Sequence, residues 1–477
     1  MATPQPPLRF TSYRQFTLRL VLSTLTGRAV HISQIRPSDP IHMGLAPHEI
    51  SFLRLLEAVT NGSHMEISYT GTIVLYKPGL ITGSAPGSGA SGGVIKHEIP
   101  SNCSRGISYF LLPMCLLAPF SKAPFNILFT GPGVITSSTP TGDMSVDSVR
   151  TAILPLFAQF GIFNNIELRV LKRSNPGPNG KGGGGEVQLV FGHQVRLPKT
   201  IHLLNPGRIK KIRGVAYAIG VSGSHNARMI EVARGVLNPL CPDTYVFSDV
   251  SSAPLVAAPT RDNPSNKKKI GLGFGLSLVA ESSTGCLFSA DVASLPTGGE
   301  PPEDIGKRCA YQLLESISVG GCVSRAAAPT MITLMAMGSE DVGRLQVGRD
   351  VIADESMIQF ARDLNKFGTP GWGIRDAPGE SGLFAVPLSP FELYRTLLGV
   401  LVGNMPIGLH VRSIPQDGAS RGSHSSASDE FGQKKQPSRW SILPQEHSAV
   451  TASRSPRTVH EPIVISSIHI SSTQRWI

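Results

Sequence analysis

APHEISFLRLLEAVTNGSHMEISYTGTIVLY, residues 46–76, carries both periods of an α/β unit in one continuous run. Phe52, Leu55, Leu56 and Val59 recur at helical spacing, Gly62 stops the helix, and the segment after it alternates as a strand does. The design returns in VDSVRTAILPLFAQFG (146–161), where Ile153, Leu156, Phe157 and Phe160 share a face and Gly161 leads into IELRVLKR. It returns again in PEDIGKRCAYQLLESISVGG (302–321), with Ala310, Leu313, Leu314 and Ile317 ahead of a stop at Gly320. Three helices of one design, the first two running into strands, predict a repeated α/β unit.

The second and third stops lie further apart than the first and second. The excess falls after a glycine-rich stretch and contains its own strand–helix–strand set: IKKIRGVAYAIGV (209–221), HNARMIEVARGVL (225–237) and TYVFSDV (244–250). This spacing predicts a small domain inserted into the third repeat. The glycine clusters, PGPNGKGGGGEVQLVF (176–191) and Gly271–Gly275, are expected to be hinges at the ends of that insert.

Neither cluster has the setting of a phosphate loop. A Walker A loop needs a glycine five positions before the glycine of Gly-Lys, a hydroxyl after the lysine and a helix beyond. Here Asn175 holds the first position, Gly182 follows Lys181, and the next residues, Glu186–Phe191, read as a strand. Gly271–Gly275 likewise runs into the strand-like LSLVAES.

The chain has 477 residues, 40% of them apolar, which suits a sizeable core in two or three domains. Its formal charge of +11 and pI near 9.5 point to a polyanionic neighbour, most simply nucleic acid. The six cysteines form no C-x-x-C pair and no zinc spacing, and MATPQPPLRF has no secretory apolar region, so reduced thiols inside a cell are expected. YFLLPMCLLAPF (109–120) is too short to span a bilayer and holds two prolines; it reads as core, and no membrane partner is expected. From Ser413 onward Ser, Pro, Gln and basic residues dominate without periodicity, which predicts a largely disordered tail.

Motif chemistry is sparse. His48-Glu49 begins a zinc-protease helix motif, but Phe52 replaces its second histidine. Gly220-Val221-Ser222-Gly223-Ser224 misses a nucleophile elbow at its last glycine. No metal site and no cofactor are expected. Arg208, Lys210, Lys211 and Arg213 form the densest basic cluster outside the tail, a candidate RNA or partner contact whose alternative is a solvated face. Lys267–Lys269 reads as a solubilising run in a loop.

Taken together, LRLVLSTLTGR, GLAPHEISFLRLLEAVTNGS, SVDSVRTAILPLFAQFGI, GGGEV, RIKKIRGVAY, GFGLSLVAES, PPEDIG and SEDVGRLQVGRD resemble the RNA 3'-terminal phosphate cyclase superfamily. The resemblance, strongest to its cyclase-like branch of nucleolar ribosome-assembly factors, runs through roughly residues 8–377. It implies an α/β (α+β) fold: three units of two helices on a four-stranded sheet, with a small α/β insert domain in the third. The expected layout is a core over 8–190, an insert over 191–285, the rest of the core over 286–377, and the atypical, largely disordered tail over 378–477.

The departures from the family bear on function. Cyclases carry AMP on a histidine late in the third unit, and that route requires a nitrogen nucleophile. No histidine occurs between His225 and His410, and the matching region GRLQVGRDVIADESMIQF offers Arg349 and Asp350. Arginine stays protonated and cannot attack. The glycine-rich N-terminal loop of cyclases is replaced by Thr11-Ser12-Tyr13-Arg14-Gln15, whose side chains obstruct close approach to a nucleotide.

The resemblance therefore implies a non-cyclase assembly factor of the nucleolar small-subunit processome. Its expected partners are a large ribosome-assembly GTPase, pre-rRNA and snoRNP, and its expected role is early pre-rRNA cleavage and 18S rRNA maturation. The alternative is a pre-rRNA endonuclease with Arg362, Asp363 and Lys366 as candidates; the competing reading of FARDLNKFG is a plain amphipathic helix. An active cyclase would need a displaced histidine. A closing strand region expected soon after WGIRD is not recognisable beyond Ala377.

Overall fold

The computed structural model describes residues 5–369 apart from 86–92, 164, 193–197, 258–265 and 339–341, and further on residues 373, 375–376, 383–388 and 439–443. The chain starts with β1 (Leu8–Thr11), α1 (Phe16–Thr26), β2 (Val30–Ser33), α2 (Pro47–Val59) and the short β3 (Thr60–Asn61). It continues with β4 (His64–Ser68), β5 (Val74–Lys77) and β6 (Leu80–Ile81), which pairs back on β3. The main sheet runs β1-β2-β5-β4, with the first pair parallel and the others antiparallel.

α2 forms because its apolar residues repeat every three to four positions behind Pro47, where a helix needs no N–H. The Glu49 carboxylate accepts the Ala46 N–H at 2.7 Å, closing the first turn. Phe52, Leu55, Leu56 and Val59 are all fully buried, as their spacing requires. Burial at this depth stabilises by about 1.5–3 kcal/mol per side chain.

The second repeat has β7 (Ile95–Glu98), α3 (Ser108–Leu117) and β8 (Phe125–Thr130). α4 (Val146–Ser148) passes through a π turn over Val149–Ile153 into α5 (Leu154–Gln159), followed by β9 (Glu167–Lys172) and β10 (Glu186–Phe191). Its sheet, β7-β8-β10-β9, repeats the first one's order and strand directions. α3 is the apolar stretch with an internal Pro113, and it is core, as expected.

The third repeat opens with β11 (His202–Leu203) and is then interrupted. The interruption comprises β12 (Ile209–Ile219), α6 (Ser224–Leu237), β13 (Thr244–Ser251), the hairpin β14 (Leu255–Ala257) and β15 (Lys267–Lys269), β16 (Gly273–Ser282), β17 (Leu287–Ala293) and α7 (Pro302–Ser318). Its sheet runs β13-β12-β16-β17, and α6 and α7 pack together on one face of it. The repeat then resumes with α8 (Ala328–Ala336), β18 (Gly343–Gly348), α9 (Arg349–Ile352), α10 (Glu355–Lys366), β19 (Arg375–Asp376) and β20 (Leu383–Leu388). Its sheet, β11-β18-β20-β19, has the same order a third time.

Four expectations are corrected. The helix ending at Gly320 is α7, which lies on the inserted sheet; the third repeat's counterpart of α2 and α5 is α10, ending just before Gly368. The expected insert boundary at residue 285 falls inside the β16–β17 hairpin, so the inserted sheet extends to Ala293. The glycine clusters are a packed seam and not hinges. Gly182 donates its N–H to the Cys103 carbonyl and Gly183 to that of Pro132, while Asn175 donates to that of Gly271. A Cβ on Gly183 would stand 2.5 Å from the Val134 oxygen, and one on Gly271 2.5 Å from the Gly183 oxygen. Finally, the closing strand is present as β20, and β21 (Arg439–Leu443) pairs parallel with β4 at the edge of the first sheet. The other residues of the expected disordered tail lie outside the described ones.

Candidate functional site

The three repeats meet at a cavity of about 550 Å³ lined by the start of α1, the start of α2, residues 104–109 and the start of α10. The segment between β1 and α1 holds Ser12 at φ +71 and Gln15 at φ +55, left-handed conformations that glycine adopts most easily. Gln34 at φ +56 and Arg36 at φ +41 do the same at the exit of β2. Backbone strain of this kind persists only where the surroundings enforce it, and it gathers at functional sites.

Arg19 does the enforcing on the first segment. It is 2% exposed, donates to the Thr11 and Ser12 carbonyls at 3.2 and 2.8 Å, and places its Nε 2.6 Å from Asp363 of α10. Gln15 reaches across to Ser356, its Nε2 donating to the carbonyl at 2.8 Å and meeting the hydroxyl at 2.7 Å. Arg14 pairs with Glu355 beside it. The first and third repeats are thus laced together over the cavity.

Two more arginines line the walls, each held by a carboxylate and an aromatic ring. Arg36 donates twice to Glu49, at 2.6 and 2.9 Å, and lies 4.1 Å from the Tyr13 ring centroid. Arg105 donates twice to Asp143 and lies 4.5 Å from the Tyr109 ring centroid. Burial opposes the charge on Asp143, but the guanidinium and the Gly106 N–H more than offset it, so its pKa falls below the usual carboxylate value. His48 meets Tyr109 edge-on at 5.1 Å, and burial, with Arg105 and Arg36 nearby, lowers its pKa to about 4. It is therefore neutral at pH 7. The His48-Glu49 pair that begins a zinc motif in sequence is here a wall of the cavity, with Glu49 anchoring Arg36. Among the described residues no cluster of His, Cys, Asp and Glu could hold a metal ion.

The sequence-derived candidates do not converge on this cavity. Arg349 and Asp350 open α9, exposed, one turn ahead of the lining residues Glu355 and Ser356. On α10, Asp363 is 1% exposed and accepts from Arg19 and Gln359, whereas Arg362 and Lys366 face outward. Lys366 donates to the Arg9 carbonyl at 3.3 Å. The three candidate endonuclease side chains therefore do not share a surface. Arg208, Lys210, Lys211 and Arg213 lie at the start of β12 on the inserted sheet, Lys211 paired with Glu281 at 2.8 Å and Arg213 with Asp243 at 2.9 Å.

Sequence reasoning missed Arg36, Arg105 and Tyr109. Arg36 comes from the loop after β2 in the first repeat, Arg105 and Tyr109 from the start of α3 in the second, and no motif connects the two segments. No helix among the described residues is long and apolar enough to cross a membrane.

Comparison with known proteins agrees with this architecture. The family model for RNA 3'-terminal phosphate cyclase matches residues 8–369. An rRNA processing protein of Schizosaccharomyces pombe is 39% identical over 357 residues, covering 75% of this chain and 88% of that one. A protein of Homo sapiens named RNA 3'-terminal phosphate cyclase-like is 40% identical over 374 residues, covering 77% and 90%. An rRNA processing protein of Saccharomyces cerevisiae is 39% identical over 359 residues, covering 75% and 88%. With three repeats of one strand order and a match that runs from the first repeat through α10 of the third, the chain belongs to the RNA 3'-terminal phosphate cyclase family.

Proposed function

We propose that this chain acts in rRNA processing as a non-cyclase assembly factor, within the small-subunit processome of the nucleolus. It supports the early pre-rRNA cleavages that lead to 18S rRNA, bound to a large ribosome-assembly GTPase and close to snoRNP. Relatives named for rRNA processing support the general role. The observation that carries the non-cyclase part is the state of the cavity's arginines. Arg14, Arg36 and Arg105 are paired with Glu355, Glu49 and Asp143. A nucleoside triphosphate entering there would have to part Arg36 and Arg105 from the largely buried Glu49 and Asp143 carboxylates, or carry its phosphates beside them. A frame held closed by its own ion pairs suits a scaffold that presents surfaces to RNA and protein.

Depleting the protein and probing total RNA by hybridisation tests the role. Accumulation of unprocessed precursor upstream of 18S rRNA, restored by the wild-type chain, supports it. Normal precursor levels after complete depletion overturn it. Affinity purification tests the partners separately: a GTPase and snoRNA must co-purify.

A further inference from the structure

We infer that the open end of the inserted sheet, at Tyr245 and Phe247 of β13, is a stacking platform for single-stranded RNA. β13 is the edge strand of that sheet, and α6 and α7 cover the opposite face. Alternation along β13 buries Thr244 and Val246 and leaves Tyr245 and Phe247 each 55% exposed. Large aromatic rings left in water side by side on a sheet are unusual, because burying each would stabilise the fold by a few kcal/mol.

The register supplies the neighbours. Arg213 of β12 stands beside Tyr245 and Val215 beside Phe247, in parallel pairing on the same face. Arg208 and Lys210 lie just ahead on the same strand, exposed, with no carboxylate partner among the described residues. Two of the four cations of this strand start are paired, with Glu281 and Asp243, so the patch keeps a positive excess. The face closes on two sides: further along β13 Asp249 is taken by Arg173, and across the sheet, level with Phe247 and Val215, Ser277 of β16 contacts Ser145 of the second repeat. The open area is therefore small, aromatic and basic.

That chemistry selects the ligand. Aromatic rings stack on bases without sequence preference, while flanking cations follow the phosphates. The two rings lie 4.7 Å apart at 78° to one another, so two bases stacking on them cannot be parallel as they are in a duplex. A flexible single strand can turn between them. A protein strand adding to the free edge of β13 would use backbone groups and would not need these rings.

The rRNA-processing reading supplies only the identity of the nucleic acid. The binding claim is tested directly, with the full chain and a labelled twelve-nucleotide oligouridine, against a duplex of equal length. The wild type should prefer the single strand. Tyr245→Ala with Phe247→Ala should weaken its binding by at least about tenfold and leave the salt slope unchanged, since no phosphate contact is lost. Tyr245→Phe with Phe247→Tyr should bind as wild type. Arg208→Ala with Lys210→Ala should instead shallow the slope by up to about 1.4, at ~0.7 per contact. A natively melting alanine variant that binds within twofold of wild type overturns the platform, as does a wild type that ignores the oligonucleotide. Retained RNA binding with loss of a co-purifying protein would also overturn it, in favour of a protein edge. Normal rRNA precursors after depletion would sink the processing role and leave this result standing.

Discussion

Asp363 shows why residue identity alone misleads. In FARDLNKFG it reads as one of three charged side chains on an exposed helix, yet it sits 1% exposed against Arg19, 344 positions earlier. Removing one member of a buried pair strands the other charge, so Asp363→Ala should lower unfolding stability by about 3–5 kcal/mol. Arg362→Ala and Lys366→Ala, being exposed, should change it by no more than about 0.5 kcal/mol. Urea denaturation of the three variants checks this ordering; a neutral Asp363→Ala would show that the pair holds nothing together. Two histidines give a second residue-scale prediction. Burial lowers both His48 and His97 to a pKa of about 4 from an ordinary 6.5. The unfolded chain therefore binds more protons than the folded one between these values. Stability should be fully present above about pH 6.5 and fall as the pH drops toward 4. His97→Gln should flatten that fall, and a denaturation midpoint that stays level from pH 6.5 to 4.5 in the wild type would refute it.

At the scale of elements, periodicity was legible and company was not. The faces of α2, α5 and α7 were all readable, because a buried stripe must repeat every three to four residues. Periodicity cannot say which sheet covers the stripe, so α7 looked like a third copy of α2 although it belongs to the inserted sheet. The true copy, α10, was read as an amphipathic helix or as a carrier of late charged candidates, but not as the third copy of α2. Glycine runs posed the same difficulty, since flexible linkers and tight backbone seams have one composition. The seam predicts a contrast. Gly183→Ala puts a Cβ 2.5 Å from the Val134 oxygen, whereas Gly180, at φ +69, has nothing within 4 Å of its added Cβ. Gly183→Ala should cost about 2 kcal/mol or more through displaced backbone, and Gly180→Ala about 1 kcal/mol through its left-handed φ alone. Equal and negligible effects on thermal melting would restore the hinge reading.

For the whole molecule, the first two repeats were visible as helix–strand units and the third was assigned to the wrong helix, while the cavity the three enclose was not visible at all. Its arginines, Arg14, Arg36 and Arg105, lie in segments that no motif links, and they meet only because each repeat places its helix starts at a common centre. The same centre decides the chemistry. The strained segment from Ser12 to Gln15 keeps a glycine-like backbone while carrying Tyr13, Arg14 and Gln15 across the opening. Covalent nucleotide transfer would need a nitrogen nucleophile near α10, and the chain offers Arg349, which cannot lose its proton. Incubation with magnesium and α-labelled ATP should therefore leave no acid-labile AMP on the purified protein. Excess ATP should also raise the melting temperature by less than one degree, since a ligand stabilises only in proportion to its binding. A stoichiometric adduct would mean that a histidine outside this region has taken over, and it would return the chain to nucleotide chemistry. Thermal stabilisation without an adduct would mean that the Arg14–Glu355 pair opens for ATP, and Glu355→Gln should then tighten that binding.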